Sequence, residues 1–250
     1  MAGHSKWANI KHKKAVTDFR RGKIFTRLVK EIIVAAREGG GNPDSNSRLR
    51  LAIQNARSQN VPSENIKRGI QRGTGEIEGL TYEENVYEGF GPSGVSVLVQ
   101  TLTDNRNRTV AELRALFNKH GGTLGEAGSV AWNFHRKGIV QIDSNGSTDD
   151  DILMHVLECG ADDAEFTDEK TARIICPPEQ LAQCHRYFED QKFTVSEVKF
   201  EYLPNTFVKI FTPNDAQVFM KFLDAVEDYD DTQDVFTNVI IDDTAISDTE

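Results

Sequence analysis

The sequence predicts a multidomain α+β protein. An all-α N-terminal helical domain is followed by two α+β domains of ferredoxin-like order, the third inserted in the second. Three observations predict this. Apolar residues follow the helical period over the first third of the chain and shift to short strand-like runs after residue 80. Residues 138–203 carry the element order β-α-β-β-α-β, the split-βαβ arrangement. One more helix and strand then follow, and they complete a ββαβ unit begun near Tyr82. The expected divisions are residues 1–75, 80–137 with 204–242, 138–203, and an acidic tail over 243–250.

Each element has a local reason. Phe25, Leu28, Val29, Ile32, Ile33 and Ala36 form one apolar stripe at helical spacing. At 100° per residue, Arg20, Lys23, Arg27, Lys30 and Arg37 fall opposite it, with Val34 as the exception. Asp18 suits the N-cap, and Gly39-Gly40-Gly41 suits the stop. A second helix follows "NPDSNS", with Leu49, Ala52, Ile53 and Ala56 inward and Arg50 and Arg57 outward. A third begins near Pro62 and stops at Gly73, and "GTGEIEGLT" reads as a linker.

Beyond the linker, "YEENVYEGF" and "GVSVLVQTL" read as strands joined by the turn Gly91-Pro92-Ser93-Gly94. "NRTVAELRALFNKHGG" is an amphipathic helix and "SVAWNFHRKG" a strand. "GIVQI", "DAEFT", "TARIIC" and "TVSEVKFEYL" supply the strands of the inserted domain, and "DDILMHVLECG" and "PPEQLAQCHRYFEDQ" its helices. "DAQVFMKFLDAVEDY" is the returning helix and "DVFTNVII" the returning strand.

Charge divides the chain. Residues 1–75 hold 16 Lys and Arg against 5 Asp and Glu, net +11, while the remainder holds 13 against 34, net −21. Residues 222–250 contain no Lys or Arg and ten carboxylates. A basic head on an acidic body points to a polyanion partner. The acidic stretch has three readings: repelling nucleic acid, folding back on the head, or maintaining solubility, of which solubility is the plainest.

Other classes find little support. No apolar run approaches the ~20 residues of a membrane span, and no 7–15-residue apolar stretch follows the basic start, against a secretory signal. Ala2 stands where myristoylation needs glycine. Cys159, Cys176 and Cys184 form no C-x-x-C pair, which reads as reduced thiols in the cytoplasm. Gly89-Phe90-Gly91-Pro92-Ser93-Gly94 matches G-x-G-x-x-G but is followed by a β-branched run, not the helix a pyrophosphate needs. His4 and His12 lie among lysines and arginines, where a bound cation is disfavoured. No catalytic signature, metal site, cofactor or small-molecule substrate is expected, so the protein reads as a non-enzyme.

Nucleic acid is the expected partner. The candidate binding residues are His4, Ser5, Lys6, Trp7, Lys11, His12, Lys13, Lys14, Arg20, Lys23, Arg27 and Lys30. Clustered cations neutralise phosphates, and an aromatic stacks on an exposed base. Trp7 serves equally as a stacking ring or as a buried core residue. In "TDNRNRT", Asn105 or Asn107 caps a helix, and Arg106 and Arg108 are secondary contact candidates. "GGTLGEAGSVAWNF" suits a tight loop or a contact surface.

The stretches "AGHSKWANIKHKK", "RGKIFTRLVKEIIVAAREGG", "RLRLAIQNARSQNVP", "YEGFGPSGV", "LTDNRNRT" and "KHGGTLGEAGSVAWNF" together resemble the YebC family. The chain departs from the family pattern at Ser47 (proline there), Val61 (methionine) and Trp132 (tyrosine). The resemblance implies three domains and two attributions. One is a DNA-binding transcriptional regulator. The other is a translation factor that binds the ribosome and its RNA and relieves stalling at proline-rich stretches. It also implies that "GHSKWANIKHKK" reaches nucleic acid in either case. The residues themselves lean to RNA, because no groove-reading signature is evident and stacking suits irregular strands.

Overall fold

The structure, a computed structural model, describes residues 18–166, 170–242 and 245, with side chains from residue 22 onward. Two compact units divide them. One holds the described residues up to Phe134 and those from Pro204 on; the other holds His135–Leu203.

The first unit opens with three helices, α1 (Asp18–Gly39), α2 (Ser47–Ser58) and α3 (Ser63–Gly73). Ile32, Ala35 and Ala36 of α1 pack on Leu49, Ala52, Ile53 and Ala56 of α2 and on Ile66 of α3. Gly73 permits the close approach, since a Cβ there would lie 2.5 Å from the Ile33 carbonyl. Asn46 joins two helix ends. Its Oδ1 accepts from Leu49 N at 3.0 Å, and its Nδ2 donates to the Ala35 and Gly40 carbonyls at 2.7 and 2.9 Å. Gly40 takes the left-handed conformation (φ 83°) that ends α1.

The apolar stripe of α1 is wider than its spacing suggests. Ile32, Ile33, Val34, Ala35 and Ala36 are all buried, and so is Lys30. The expectation that Val34 and Lys30 face solvent is therefore corrected: a second protein surface covers that side of the helix.

Lys30 meets the sheet of the same unit at the Leu102 carbonyl; that sheet has the order β3 (Thr123–Leu124), β1 (Glu83–Phe90), β2 (Ser96–Thr103), β9 (Thr232–Thr237). Strand β1 (Glu83–Phe90) pairs antiparallel with β2 (Ser96–Thr103), from Glu83↔Thr103 to Phe90↔Ser96, around the predicted turn. Helix α4 (Arg106–Lys119) and the short β3 (Thr123–Leu124) follow. The other unit has β4 (Phe134–Asp143), α5 (Asp149–Cys159), β5 (Asp163–Phe166), β6 (Thr171–Cys176), α6 (Leu181–Asp190) and β7 (Thr194–Pro204). Its sheet order, β5-β6-β4-β7, is that of the predicted ferredoxin-like arrangement. Cys159, Cys176 and Cys184 are free and buried within it. Burial pushes the Cys159 thiol up to about 11, so it stays protonated and unreactive at neutral pH.

The chain then re-enters the first unit with β8 (Val208–Ile210), α7 (Pro213–Glu227), β9 (Thr232–Thr237) and β10 (Val239–Ile241). Strand β9 pairs antiparallel with β2, so the late segment completes the sheet begun at Glu83. Helices α4 and α7 meet through Phe117 and Phe222, edge to face at 4.9 Å.

Two strand expectations are corrected. "SVAWNFHRKG" and "GIVQI" are not separate strands, because β4 runs unbroken from Phe134 to Asp143. Residues 129–133 are irregular, ending in a 3₁₀ turn over Ala131–Asn133. "DVFTNVII" breaks at Asn238 into β9 and β10, which lie in different sheets. Asn238 turns inward there: its Oδ1 accepts from Ser96 N at 2.8 Å, and its Nδ2 donates to the Thr206 carbonyl at 3.0 Å.

Asn46→Ala removes a cap and two buried donors at once. It is expected to cost about 1–3 kcal/mol in urea unfolding. A midpoint unchanged from the parent would contradict the joint role of Asn46.

Candidate nucleic-acid interface

His4, Ser5, Lys6, Trp7, Lys11, His12, Lys13 and Lys14 lie outside the described residues, and so does the Arg20 side chain. Of the rest of the predicted basic stripe, Lys23, Arg27 and Lys30 turn their charge inward, while Arg37 is exposed and donates to Thr81 Oγ1 at 3.0 Å. Lys23 Nζ donates to the Asp228 carbonyl at 2.6 Å and lies 3.8 and 3.9 Å from the carboxylates of Asp228 and Asp230. Arg27 donates to the Glu227 carbonyl. Lys30 Nζ donates to the carbonyls of Leu102 (3.2 Å) and Asp230 (3.0 Å) and to Asp231 Oδ1 (3.0 Å).

The reason is electrostatic. The last turn of α7 contains no basic residue of its own. Its end leaves carbonyls without helical partners at the negative pole of the helix dipole. Three cations of α1, at positions 23, 27 and 30, supply what α7 lacks. The start of the acidic stretch thus folds onto the basic head, which corrects the solubility-only reading for Asp228, Asp230 and Asp231.

Asp231 is the centre of this contact. Oδ1 takes Lys30, while Oδ2 accepts from Arg108 (2.9 Å), Thr109 (2.9 Å) and Tyr229 (3.2 Å). Burial disfavours its charge, but hydrogen bonds from Arg108, Lys30 and Thr109 outweigh burial and lower its pKa to about 2. Arg108 also reaches Asp104 at 2.7 Å, while Asn105 caps α4 by accepting from Arg108 N at 3.1 Å. Arg106 is exposed on the first turn of α4. Both secondary candidates are exposed, but Arg108 is committed to Asp104 and Asp231, with 43% of its side chain still accessible.

Five other cations remain on the surface of the helical segment. Arg50 and Arg57 of α2 and Lys67, Arg68 and Arg72 of α3 are exposed. Helix α2 carries no acidic residue, and α3 carries Glu64, which pairs with Arg68 at 3.2 Å. Arg48 behaves differently: it bonds Glu31 (2.7 Å), Glu38 (2.8 Å) and Glu84 (2.8 Å), tying α1 to β1. Arg50 and Arg57 were legible as outward-facing. Arg48 was not, because its partners lie up to 36 residues away.

A second buried carboxylate shapes the glycine-rich loop. Glu88 on β1 accepts from the backbone N–H groups of Gly128 (2.6 Å), Val130 (2.8 Å) and Ala131 (2.8 Å). Burial raises its pKa, but these three bonds outweigh it and hold the carboxyl below its ordinary value. They also take the amides that a strand over residues 129–133 would need for its ladder. Nothing in the sequence marks Glu88 as their partner.

An open cleft of about 540 Å³ lies beside Ile33, Arg37, Arg72 and the linker Gly73–Thr81. It contains no histidine and no cysteine, and thus no nucleophile–base couple of the Cys–His type. Among the described residues, no group of three or more His, Cys, Asp and Glu is placed to hold a metal ion. No described helix is long and apolar enough to cross a membrane.

Two family models match the chain: "TACO1/YebC protein N-terminal domain" over residues 5–76 and "TACO1/YebC second and third domain" over residues 82–239. A Thermotoga petrophila protein named "Probable transcriptional regulatory protein" is 49% identical over 244 residues, 97% of this chain and 95% of the relative. A Dictyoglomus turgidum protein of the same name is 46% identical over 97% of both chains. The crystal structure of a conserved hypothetical protein from Aquifex aeolicus superposes with a TM-score of 0.87 at 42% identity, covering 96% of this chain and 99% of that one.

The lowered pKa of Asp231 has a definite sign. Its folded value, about 2, lies below the ordinary value of 3.8, so its stabilisation is present above pH 4 and lost as pH falls towards 2. The stability gap between the parent and Asp231→Asn should shrink by about 2 kcal/mol from pH 5 to pH 2. A gap independent of pH in urea titrations would contradict the placement of this charge.

Proposed function

We propose, from the premise that this chain belongs to the TACO1/YebC family, that it is a non-enzymatic nucleic-acid-binding factor regulating gene expression, acting as a DNA-binding transcriptional regulator in the cytoplasm. One observation carries this reading. The first 75 residues hold net +11 on a chain otherwise at −21, and five of their cations stay exposed on α2 and α3 while Lys23, Arg27 and Lys30 of α1 are bonded within the fold. Cations held on a rigid scaffold exchange for condensed counterions on a polyphosphate, which supplies affinity without sequence preference. The names of the relatives support a regulatory role.

In this reading Lys11, Lys13 and Lys14 contact phosphate together with Arg50, Arg57 and Lys67. Arg106 is a further contact. Lys30 and Arg108 act through the fold.

A second reading is control of translation through ribosomal RNA, with the ribosome as partner and relief of stalling at proline-rich stretches as the outcome. The exposed ring of Trp132 favours it, since unpaired bases are more available in folded RNA than in duplex DNA. A transcriptional regulator prefers one DNA sequence over random DNA at fixed salt. A ribosomal factor co-sediments with ribosomes and protects their RNA.

Neutralising Lys11, Lys13 and Lys14 is expected to flatten the slope of log affinity against log salt by about 2–3. Neutralising Arg50, Arg57 and Lys67 is expected to do the same. An unchanged slope in fluorescence-anisotropy titrations would remove that set of residues from the interface.

A further inference from the structure

Trp132 is the most exposed aromatic ring among the described residues, at 69% of its full surface. An exposed tryptophan is informative because its large apolar area gains nothing from water. This one is also held still. The Glu88 carboxylate fixes the backbone before it through Gly128, Val130 and Ala131. The buried side chain of Asn133 fixes the backbone after it, donating to the Thr206 carbonyl at 3.1 Å and accepting from Thr206 N (2.9 Å) and Oγ1 (2.8 Å). The indole Nε1–H donates to the Ser129 carbonyl at 3.1 Å, which fixes the ring itself.

Two buried polar side chains, both far from any net charge requirement of the loop, are thus spent on immobilising one exposed ring. Pre-organisation of this kind lowers the ordering cost of a contact. The chemistry of the contact follows from what is left over. The only polar atom of the indole is already bonded within the loop, so a partner meets the π face alone. Tryptophan at protein interfaces commonly presents its N–H to the partner, and here that group is not on offer. The loop also offers no cation, since Glu126 is its one exposed charged residue. An unpaired nucleobase meets an aromatic platform through its π face, whatever its sequence.

We infer that Trp132 is a pre-organised stacking platform for an unpaired nucleobase, separate from the cationic surface of α2 and α3. The inference rests on the nucleic-acid reading above and adds to it a single-stranded element in the target. Stacking requires a base and is indifferent to the sugar, so RNA and single-stranded DNA both qualify.

The test uses the full chain carrying Trp7→Phe, which leaves Trp132 as the sole indole of the two in the sequence. Its emission is followed with oligo(U), oligo(dT), an abasic oligomer of equal length and a blunt duplex, while anisotropy of the labelled oligomers reports binding. The expected result is quenching by both unpaired oligomers and none by the abasic oligomer or the duplex. Stronger quenching by one unpaired oligomer identifies RNA or DNA as the source of the base. Trp132→Ala should weaken binding of unpaired oligomers about 5- to 150-fold with the salt slope unchanged, and Trp132→Phe should recover most of it. Binding without quenching, or a Trp132→Ala affinity within twofold of the parent, overturns the inference and leaves the nucleic-acid reading standing. No binding of the parent chain, with Trp7 in place, to any oligomer overturns both.

Discussion

The carboxylate of Asp231 holds together three segments that are far apart in the chain. Lys30 comes from the long first helix, Arg108 and Thr109 from the first turn of α4, and Tyr229 from the turn that carries Asp231 itself. Its side chain is 6% exposed, so each lost partner would leave charge in a dry site. Around it, Lys23 and Arg27 neutralise the carbonyl end of α7. The result joins a basic helical segment to a sheet whose own composition is acidic. Like-charge repulsion within the head is thereby reduced, and the remaining cations of α2 and α3 are left at the surface.

Glu88 repeats the same physical device with backbone partners. One buried carboxylate gathers three loop amides and thereby dictates the path of residues 128–131. At Glu88 the negative charge is carried by strand β1, and the loop it organises has weak structural preferences of its own. The glycine-rich loop would otherwise have many conformations. A single charged acceptor narrows them, and Trp132 is presented as a consequence.

Much of the fold was legible because its causes are local. The "NPDSNS" stretch before α2, Pro62 before α3 and Asn105 before α4 are within a few residues of what they start. The element order of residues 138–203 was legible for the same reason. What escaped depends on distant partners. Lys30 looks like a surface residue until Leu102 and Asp231 arrive from 72 and 201 positions away. "DVFTNVII" reads as one strand because β-branched and aromatic residues flank Asn238 on both sides, and only the reach of Asn238 to Ser96 shows the break. "SVAWNF" alternates like a strand, yet Glu88 claims its amides from 42 residues upstream. The candidate interface was legible as a charge asymmetry. Which cations are spent inside was not, because spacing on one helix carries no information about what packs against it.

Lys23, Arg27 and Lys30 of α1 hold the fold rather than face a partner, the Lys30–Asp231 pair above all. A double-mutant cycle with Lys30→Met and Asp231→Asn, read by urea unfolding at neutral pH and low salt, tests it most directly. A coupling energy of about 1–3 kcal/mol is expected, with the double variant less destabilised than the sum of the single ones. Additivity within about 0.3 kcal/mol would mean that the two charges do not act on each other, and would contradict the account.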